Sequence, residues 1–461
     1  MGDFKDTLYT IDKRGNRKWV YPSFNPGRFF QIRSVVVYLL MALYLLMPWI
    51  QINGMQGIRF DIPNRKAIIF GSIFWATDTS YLVLVIGSLA IALFFFTAMF
   101  GRIWCGWACP ETVFLEFLFR PLERLIEGNG AERLRLDKQP WNLKKIFKKA
   151  LKYLLFLMAA WLLANTFLAY FVGKEQLLEM MRTSPTENIS PFLVTVAIIV
   201  ALLFQFGWFR EQFCTIVCPY ARFQSVLLDS NSLVVGYDAI RGEPRGTGKK
   251  GKTSDKFGDC VDCGLCVKVC PTGIDIRNGL QLECINCAAC IDACDSIMSK
   301  LGREKGLIRY DTENGFLRNK TKLLRPRVVI YSAILFAYAL IFAWRLSNRV
   351  FLDVNIVRGS ADVAYSSLSA GIISNHLHAR LENKSLESHQ ISFTLNSNEG
   401  VFLITPINPY PLAPQARATT PIFINFPTSL LVNGRKEIEI HVSGDDGYKE
   451  IIKVILIGPG A

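Results

Sequence analysis

Five stretches of the chain stay apolar for about 17 to 21 residues at a time, near 34–50, 81–101, 154–172, 190–209 and 328–345. At a rise of about 1.5 Å per residue each can cross roughly 30 Å of hydrocarbon as a helix, the one local structure that pairs all of its backbone polar groups within a single segment. The pattern predicts five transmembrane helices. From 346 the period changes: "QISFTL", "GVFLIT", "EIEIHVSG" and "KVILIG" alternate apolar with polar positions and are broken by "NSNEG", "NPYP", "NGRK" and "GDDG". Alternation with regular turn signals predicts a small all-β, Ig-like sandwich over 346–461, and with no cysteine it lacks the inter-sheet disulfide of antibody domains.

Composition agrees, since 51% of the 461 residues are hydrophobic. The tail 1–33 is mostly polar, carries Lys13, Arg14, Arg17, Lys18, Arg28 and Arg33, and no small-residue cleavage site follows the first apolar run. That run reads as a retained anchor and not as a secretory signal. Eleven Lys and Arg crowd into 102–152, whereas 51–80 carries only Arg59, Arg65 and Lys66, and 173–189 only Lys174 and Arg182. Positive-inside reasoning puts the N-terminus and 210–327 in the cytoplasm and 346–461 outside. The net charge of +14 lies largely in short loops beside the spans, so nucleic acid is not an expected partner.

All twelve cysteines fall on the side assigned to the cytoplasm, where clustered thiols signify metal or redox work more than structural disulfides. Residues 260–270, "CVDCGLCVKVC", and 284–294, "CINCAACIDAC", both follow C-x2-C-x2-C-x3-C. In the bacterial two-cluster ferredoxin run, three cysteines ligate one [4Fe-4S] cluster and the fourth reaches the other. The spacing assigns Cys260, Cys263, Cys266 and Cys294 to one cluster, and Cys284, Cys287, Cys290 and Cys270 to its neighbour, within an α+β dicluster ferredoxin domain at 257–300. Zinc is the bland alternative, but two identical four-cysteine runs followed in the first case by "PTGI" fit clusters better. The second run ends Cys294-Asp295 where the first has Cys270-Pro271. A polar stretch, "RGEPRGTGKKGKTSDK" at 241–256, reads as a linker.

A second cysteine pattern recurs within 34–230, the four-helix membrane region. "RIWCGWACPETVFLEFL" after the second apolar run matches "REQFCTIVCPYARFQSVL" after the fourth in C-x3-C-P-x3-F-x3-L, with Arg102 and Arg210 shortly before. On a helix, i and i+4 share a face, so Cys105 with Cys109 and Cys214 with Cys218 are each expected to present two sulfurs together, with Pro110 and Pro219 ending or kinking the helix nearby. A cysteine can also be simply a small apolar residue in a crowded helix end. Repetition with the same Pro and Phe offsets argues for a four-thiol pocket at the inner membrane face. Soft thiolates suit Cu(I), another iron–sulfur centre or a dithiol/disulfide couple, and spacing leaves these open.

Every histidine, His376, His378, His389 and His441, lies in the β region, so no spanning helix offers a histidine pair to a haem. C-x-x-C-H and G-x-x-x-x-G-K-[ST] are both absent, which removes c-type haem attachment and ATP-driven transport from consideration. His376 and His378 share one side of any strand and could touch copper, though exposed histidines without a role are commoner.

Five apolar runs, two C-x3-C-P elements, a double four-cysteine run and a terminal β region, in this order, resemble the cytochrome c oxidase accessory protein family (CcoG, also called FixG or RdxA). The resemblance covers nearly the whole chain. It implies a multi-pass protein of the bacterial inner membrane with a cytoplasmic ferredoxin domain, a fifth span at 328–345 and a periplasmic C-terminal domain. It further implies two [4Fe-4S] clusters, a role in cbb3-type oxidase assembly, and reduction of Cu(II) to Cu(I), with Cys105, Cys109, Cys214 and Cys218 as the copper or electron-exchange site. Assembly factors, copper chaperones and transporters, an electron donor of unknown identity and a second copy of the chain are the implied partners. The C-x3-C-P elements are shared with membrane ferredoxins of nitrate and nitrous oxide respiration, which makes a quinol-fed conduit the alternative and an assembly scaffold with structural clusters the next.

Overall fold

Five helices, Arg28–Leu46, Ala76–Phe100, Leu143–Val172, Ile189–Phe209 and Pro326–Ser347, are long and apolar enough to cross a membrane in the computed structural model of the chain. It describes residues 9–11, 14, 16–246, 257–322, 324–359, 365–369, 371–395 and 400–459, so that most of the linker read at 241–256 lies outside the described residues. The third of these helices buries 44% of its apolar window and the other four only 6% to 17%, leaving large apolar faces exposed.

Each of the five helices begins ahead of the apolar run that announced it, and two of them show why. The first starts at Arg28 instead of 34, because the Asp292 carboxylate accepts hydrogen bonds from the Phe29 and Phe30 amides at 3.0 and 2.8 Å and so satisfies its open end. It also stops at Leu46, ahead of a two-residue strand at Gln51–Ile52. The third starts at Leu143 and not at 154: the Asn142 side chain accepts from the Lys145 amide at 2.7 Å, and basic turns extend the helix beyond its apolar part. Between the first two spans, Ile58–Asp61, Lys66–Ile69 and Ser72–Trp75 form a three-stranded antiparallel sheet that the sequence reading did not anticipate.

The cysteine-run lobe is wider than 257–300. Val234–Tyr237 pairs antiparallel with Ile308–Asp311, and the two strands close a core in which Val235, Tyr237, Ile274, Ile291, Met298 and Ile308 pack with Cys260 and Cys266. These strands lie on either side of the cysteine runs in sequence and become neighbours only on folding.

Residues 343–461 form a separate unit. Its strands lie in two antiparallel sheets, one ordered 402–404, 417–427, 372–383, 352–358 with 366–369 beside 372–383, the other 410–412, 389–395, 435–444, 449–457. Alternate residues such as Leu377, Leu381, Ile422, Ile424 from one sheet and Ile391, Phe393, Ile440, Leu456 from the other share a single core.

Candidate functional site

The two C-x3-C-P elements take the same backbone path, but it is not the single helix that i, i+4 spacing implied. After the second span the chain turns at Gly101 (φ 58°, ψ −127°), forms the short helix Ile103–Trp107, becomes extended at Cys109 (φ −61°, ψ 130°), and restarts with Pro110 as the first residue of Pro110–Phe114. After the fourth it turns at Arg210 (φ 54°, ψ −129°), forms one wide turn over Phe213–Val217, becomes extended at Cys218 (φ −64°, ψ 112°), and restarts at Pro219. Each cysteine pair therefore straddles a helix break, because proline disfavours helical geometry in the residue before it and suits the first helical position. The structural partner of Gly101 is Arg210, so Arg102 matches Glu211 and not Arg210.

A left-handed turn is free for Gly101 and costs Arg210 about 1–3 kcal/mol. The Arg210 guanidinium offsets this by pairing with Glu123 at 2.6 Å. Glu123 also meets Arg133, and Lys152 at 3.6 Å. Burial would raise the Glu123 carboxyl, but Arg210, then Arg133 and Lys152, hold it down to about 2. On the next residue, Glu211 binds Arg17 and Arg120, each at 3.2 Å, so the second break is tied down by ion pairs, whereas the first is held by hydrogen bonds from Arg102 and Arg33.

The four thiols converge. Cys105 lies within electrostatic reach of Cys109 and Cys218, and Cys214 within reach of Cys109, Cys105 and Cys218. Burial pushes the Cys105 thiol up to about 11 and raises Cys109 and Cys214 as well. Around them Gln224 Nε2 donates to Cys105 Sγ at 3.1 Å, and Gln205 Nε2 donates to Glu111 Oε2 at 2.9 Å. Glu111 is pushed up to about 8, chiefly by burial, and its other oxygen has no hydrogen-bond partner. Buried thiols of this kind are neutral unless a cation draws off their protons, which fits a site for a thiophilic metal or cluster.

In the cysteine-run lobe the thiols divide between two cavities. Cys260, Cys263, Cys266 and Cys294 line one, and Cys270, Cys284, Cys287 and Cys290 line another that Cys266 also borders. Both runs have left-handed residues at matching places, Asp262 and Gly264 in the first and Asn286 and Ala288 in the second. Alternating handedness turns successive amides towards one side, the arrangement that surrounds an anionic cluster with N–H groups. Burial pushes Cys266 and Cys287 up to about 11 and Cys284 and Cys294 up to about 12, so these donors too require positive charge to become thiolates. Among the described residues, His389, Asp445 and Asp446 are the one such group whose ligand atoms all lie within 4.8 Å of one another. A single tetrahedral zinc would draw sulfurs to roughly 3.8 Å apart. Among the described residues no three of the lobe's thiols lie within 4.8 Å of one another, which is wider than one zinc would hold them, and the residues present fit two [4Fe-4S] groups.

The lobe rests directly on the first C-x3-C-P element. A Cβ on Gly106 would lie 2.5 Å from the Ile285 carbonyl oxygen and 2.9 Å from Cys287 Cα, so the peptide between Cys105 and Trp107 touches the backbone of a second-run cysteine. Arg33 Nε donates to the Gly106 carbonyl at 2.9 Å, and Arg102 donates to the carbonyls of Leu282 and Cys284. Trp107 Nε1 donates to Tyr310 at 3.1 Å, and Tyr310 in turn to the Asn286 carbonyl. Sequence reasoning missed Gly106, Arg33, Glu111, Gln224 and Tyr310. One signal was present: where the first element has Gly106 the second has Thr215, and only the glycine permits backbone contact.

In the β unit His376 and His378 lie on the strand 372–383 and not on a loop. His376 Nε2 is 3.3 Å from the Ser366 hydroxyl, and neither residue belongs to a metal-sized group among the described residues. His389 instead bridges Ser385 and Asp445, 2.9 Å on each side.

Three family descriptions match the chain: a 4Fe-4S binding domain over 82–128, a 4Fe-4S dicluster domain over 209–313, and an Ig-like fold at the C-terminal of FixG over 342–459. The chain is 34% identical over 421 residues to the nitrogen fixation protein FixG of Rhizobium meliloti, covering 82% of this chain and 79% of that one. It is 36% identical over 396 residues to protein RdxB of Cereibacter sphaeroides, covering 82% of each. A crystal structure of a FixG-related protein from Vibrio parahaemolyticus aligns with 23% of this chain and 96% of its own at 11% identity and a TM-score of 0.21.

Proposed function

The chain belongs to the FixG and RdxA family of iron–sulfur proteins, and on that premise we propose that it reduces Cu(II) to Cu(I) at the four-thiol rim site, in the service of cbb3-type oxidase assembly in the bacterial inner membrane. The observation that carries this is the seating of Gly106 on the Ile285–Cys287 backbone, which puts the Cys105–Cys109 pair next to a cluster cavity. When bound, the clusters supply one electron at a time, and one electron separates Cu(II) from Cu(I). Four soft thiols favour the Cu(I) product, while Gln224 and the buried Glu111 orient and screen them. Positive-inside charge supports a cytoplasmic lobe and a periplasmic β unit, the latter available to assembly factors, copper chaperones or transporters.

The decisive experiment reduces the purified protein with dithionite, removes the excess by anaerobic gel filtration, adds Cu(II) and follows Cu(I) with a chelator. Cluster-dependent Cu(I) that disappears in the Cys214→Ser, Cys218→Ser double variant supports the reading; Cu(I) formation unaffected by that change sinks it. A second reading, a third iron–sulfur centre at the rim, is favoured by the wide sulfur spacing and by the 4Fe-4S description over 82–128. Iron analysis separates the two: loss of iron in the double variant favours the third centre, and unchanged iron favours copper.

A further inference from the structure

A cavity shares Pro271, Cys287 and Ala289 with the cavity of the second-run cysteines. Four guanidiniums line it, those of Arg33, Arg120, Arg124 and Arg133, against the single carboxylate of Glu116. Arg120 is neutralised by Glu116 and Glu211, and Arg133 by Glu123. Arg33, 5% exposed, donates to the Gly106 carbonyl, and Arg124 stacks 3.6 Å from the Phe24 ring; among the described residues neither makes an ion pair. Asn25 Nδ2, Arg120 Nε and Arg133 Nε are buried donors with no acceptor, in residues that line the same cavity. A buried cation such as Arg33, and buried donors left in this state, are costly unless a ligand completes them, and the half-buried Arg124 adds a second unpaired charge.

An anion with several oxygens completes them, since guanidinium forks bind phosphate in pairs of hydrogen bonds. The cavity wall includes Phe30 and Arg33, in the first turns of the first long apolar helix, the end at which a lipid headgroup would meet a helix that enters a bilayer. The amides at that helix end are already taken by Asp292, so the guanidiniums would hold the ligand.

We propose that this cavity binds a phosphate-class anion, free or as an anionic lipid headgroup, and that its occupancy lowers the reduction potential of the cluster held by Cys270, Cys284, Cys287 and Cys290. It rests on the iron–sulfur reading and is independent of copper. Negative charge across a shared wall disfavours adding an electron, and by linkage the oxidised state binds the anion more tightly. A tenfold difference in affinity between the two states corresponds to about 59 mV for one electron.

The test is an EPR-monitored redox titration of the full-length holoprotein. One arm uses detergent with and without inorganic phosphate at matched ionic strength; the other uses phosphatidylcholine nanodiscs with and without phosphatidylglycerol. The expected result is a fall of about 59 mV in one cluster's midpoint and none in the other's. A fall in the phosphate arm identifies the free anion, and a fall in the nanodisc arm the lipid. Arg124→Gln abolishes the fall, and Arg124→Lys keeps it, with iron content checking that both variants fold. Should Arg124→Gln lose iron, Asn25→Ala replaces it and raises the anion level needed for half the effect severalfold. No fall in either arm, an equal fall for both clusters, or indifference to these substitutions overturns the proposal. Absence of any cluster signal in the wild type would instead overturn the iron–sulfur reading.

Discussion

Between Cys260 and Cys294 eight thiols are gathered by local turns, with left-handed residues repeated at matching places in the two runs. The four thiols at the membrane rim come from two elements more than a hundred residues apart, and each element breaks its helix between its two cysteines. In the lobe, grouping follows from short-range backbone geometry. At the rim it depends on how the spanning helices pack, on the ion pairs around Arg210, Glu123 and Glu211 that hold the second break, and on the hydrogen bonds of Arg102 and Arg33 at the first. The same residue type is therefore placed by chain-local forces in one region and by long-range ones in the other, and damage should spread differently through each.

The largest expected effect is at the lobe. Cys287→Ser removes a thiolate from one cavity and should halve the lobe's iron, from about eight to about four per chain, with loss of one EPR signal. Next is the support of the rim: Glu123→Gln leaves Arg210 and Arg133 buried without a counter-charge and should cost about 3–5 kcal/mol, read as a lower unfolding temperature in detergent. Because the folded Glu123 carboxyl is held at about 2, below its unfolded value, its stabilisation is present in full above pH of about 4.5 and is lost as pH falls towards 2. A wild type that loses no more stability than the variant on acidification would contradict this.

The two rim elements should then part company. Gly106→Ala forces a Cβ into the Ile285 carbonyl and is expected to destabilise the docked lobe by about 1–3 kcal/mol, whereas Thr215→Ser at the matching place stays within about 0.5 kcal/mol. Equal effects at both positions would remove the asymmetry. Apart from the Thr215→Ser control, the smallest change is Gln224→Leu, which deletes one hydrogen bond to Cys105 and should cost about 0.5–1.5 kcal/mol while leaving lobe iron intact.

The amount that could be read in advance differs in the same way. The cysteine runs, the five apolar segments and the alternating strands were legible because each is a periodic or closely spaced pattern. The assumption that Cys105 and Cys109 share a helix face was not met, since Pro110 restarts the helix and leaves Cys109 extended. The start of the first spanning helix was misplaced because its cap, Asp292, lies more than 250 residues away in sequence. The strands Val234–Tyr237 and Ile308–Asp311 are likewise too short to announce themselves and exist as a pair only across the lobe.

The sequence by itself determined which residues can be thiolate donors, which segments suit a bilayer, and that one cysteine pattern is repeated, because spacing, hydropathy and motif are properties of the unfolded chain. Tertiary structure decided that the repeated pairs converge, that Gly106 and not Thr215 meets the lobe, and that four arginines face one cavity beside Cys287. Those outcomes depend on which buried charges find partners and where two backbones can touch, and neither is set until distant segments pack.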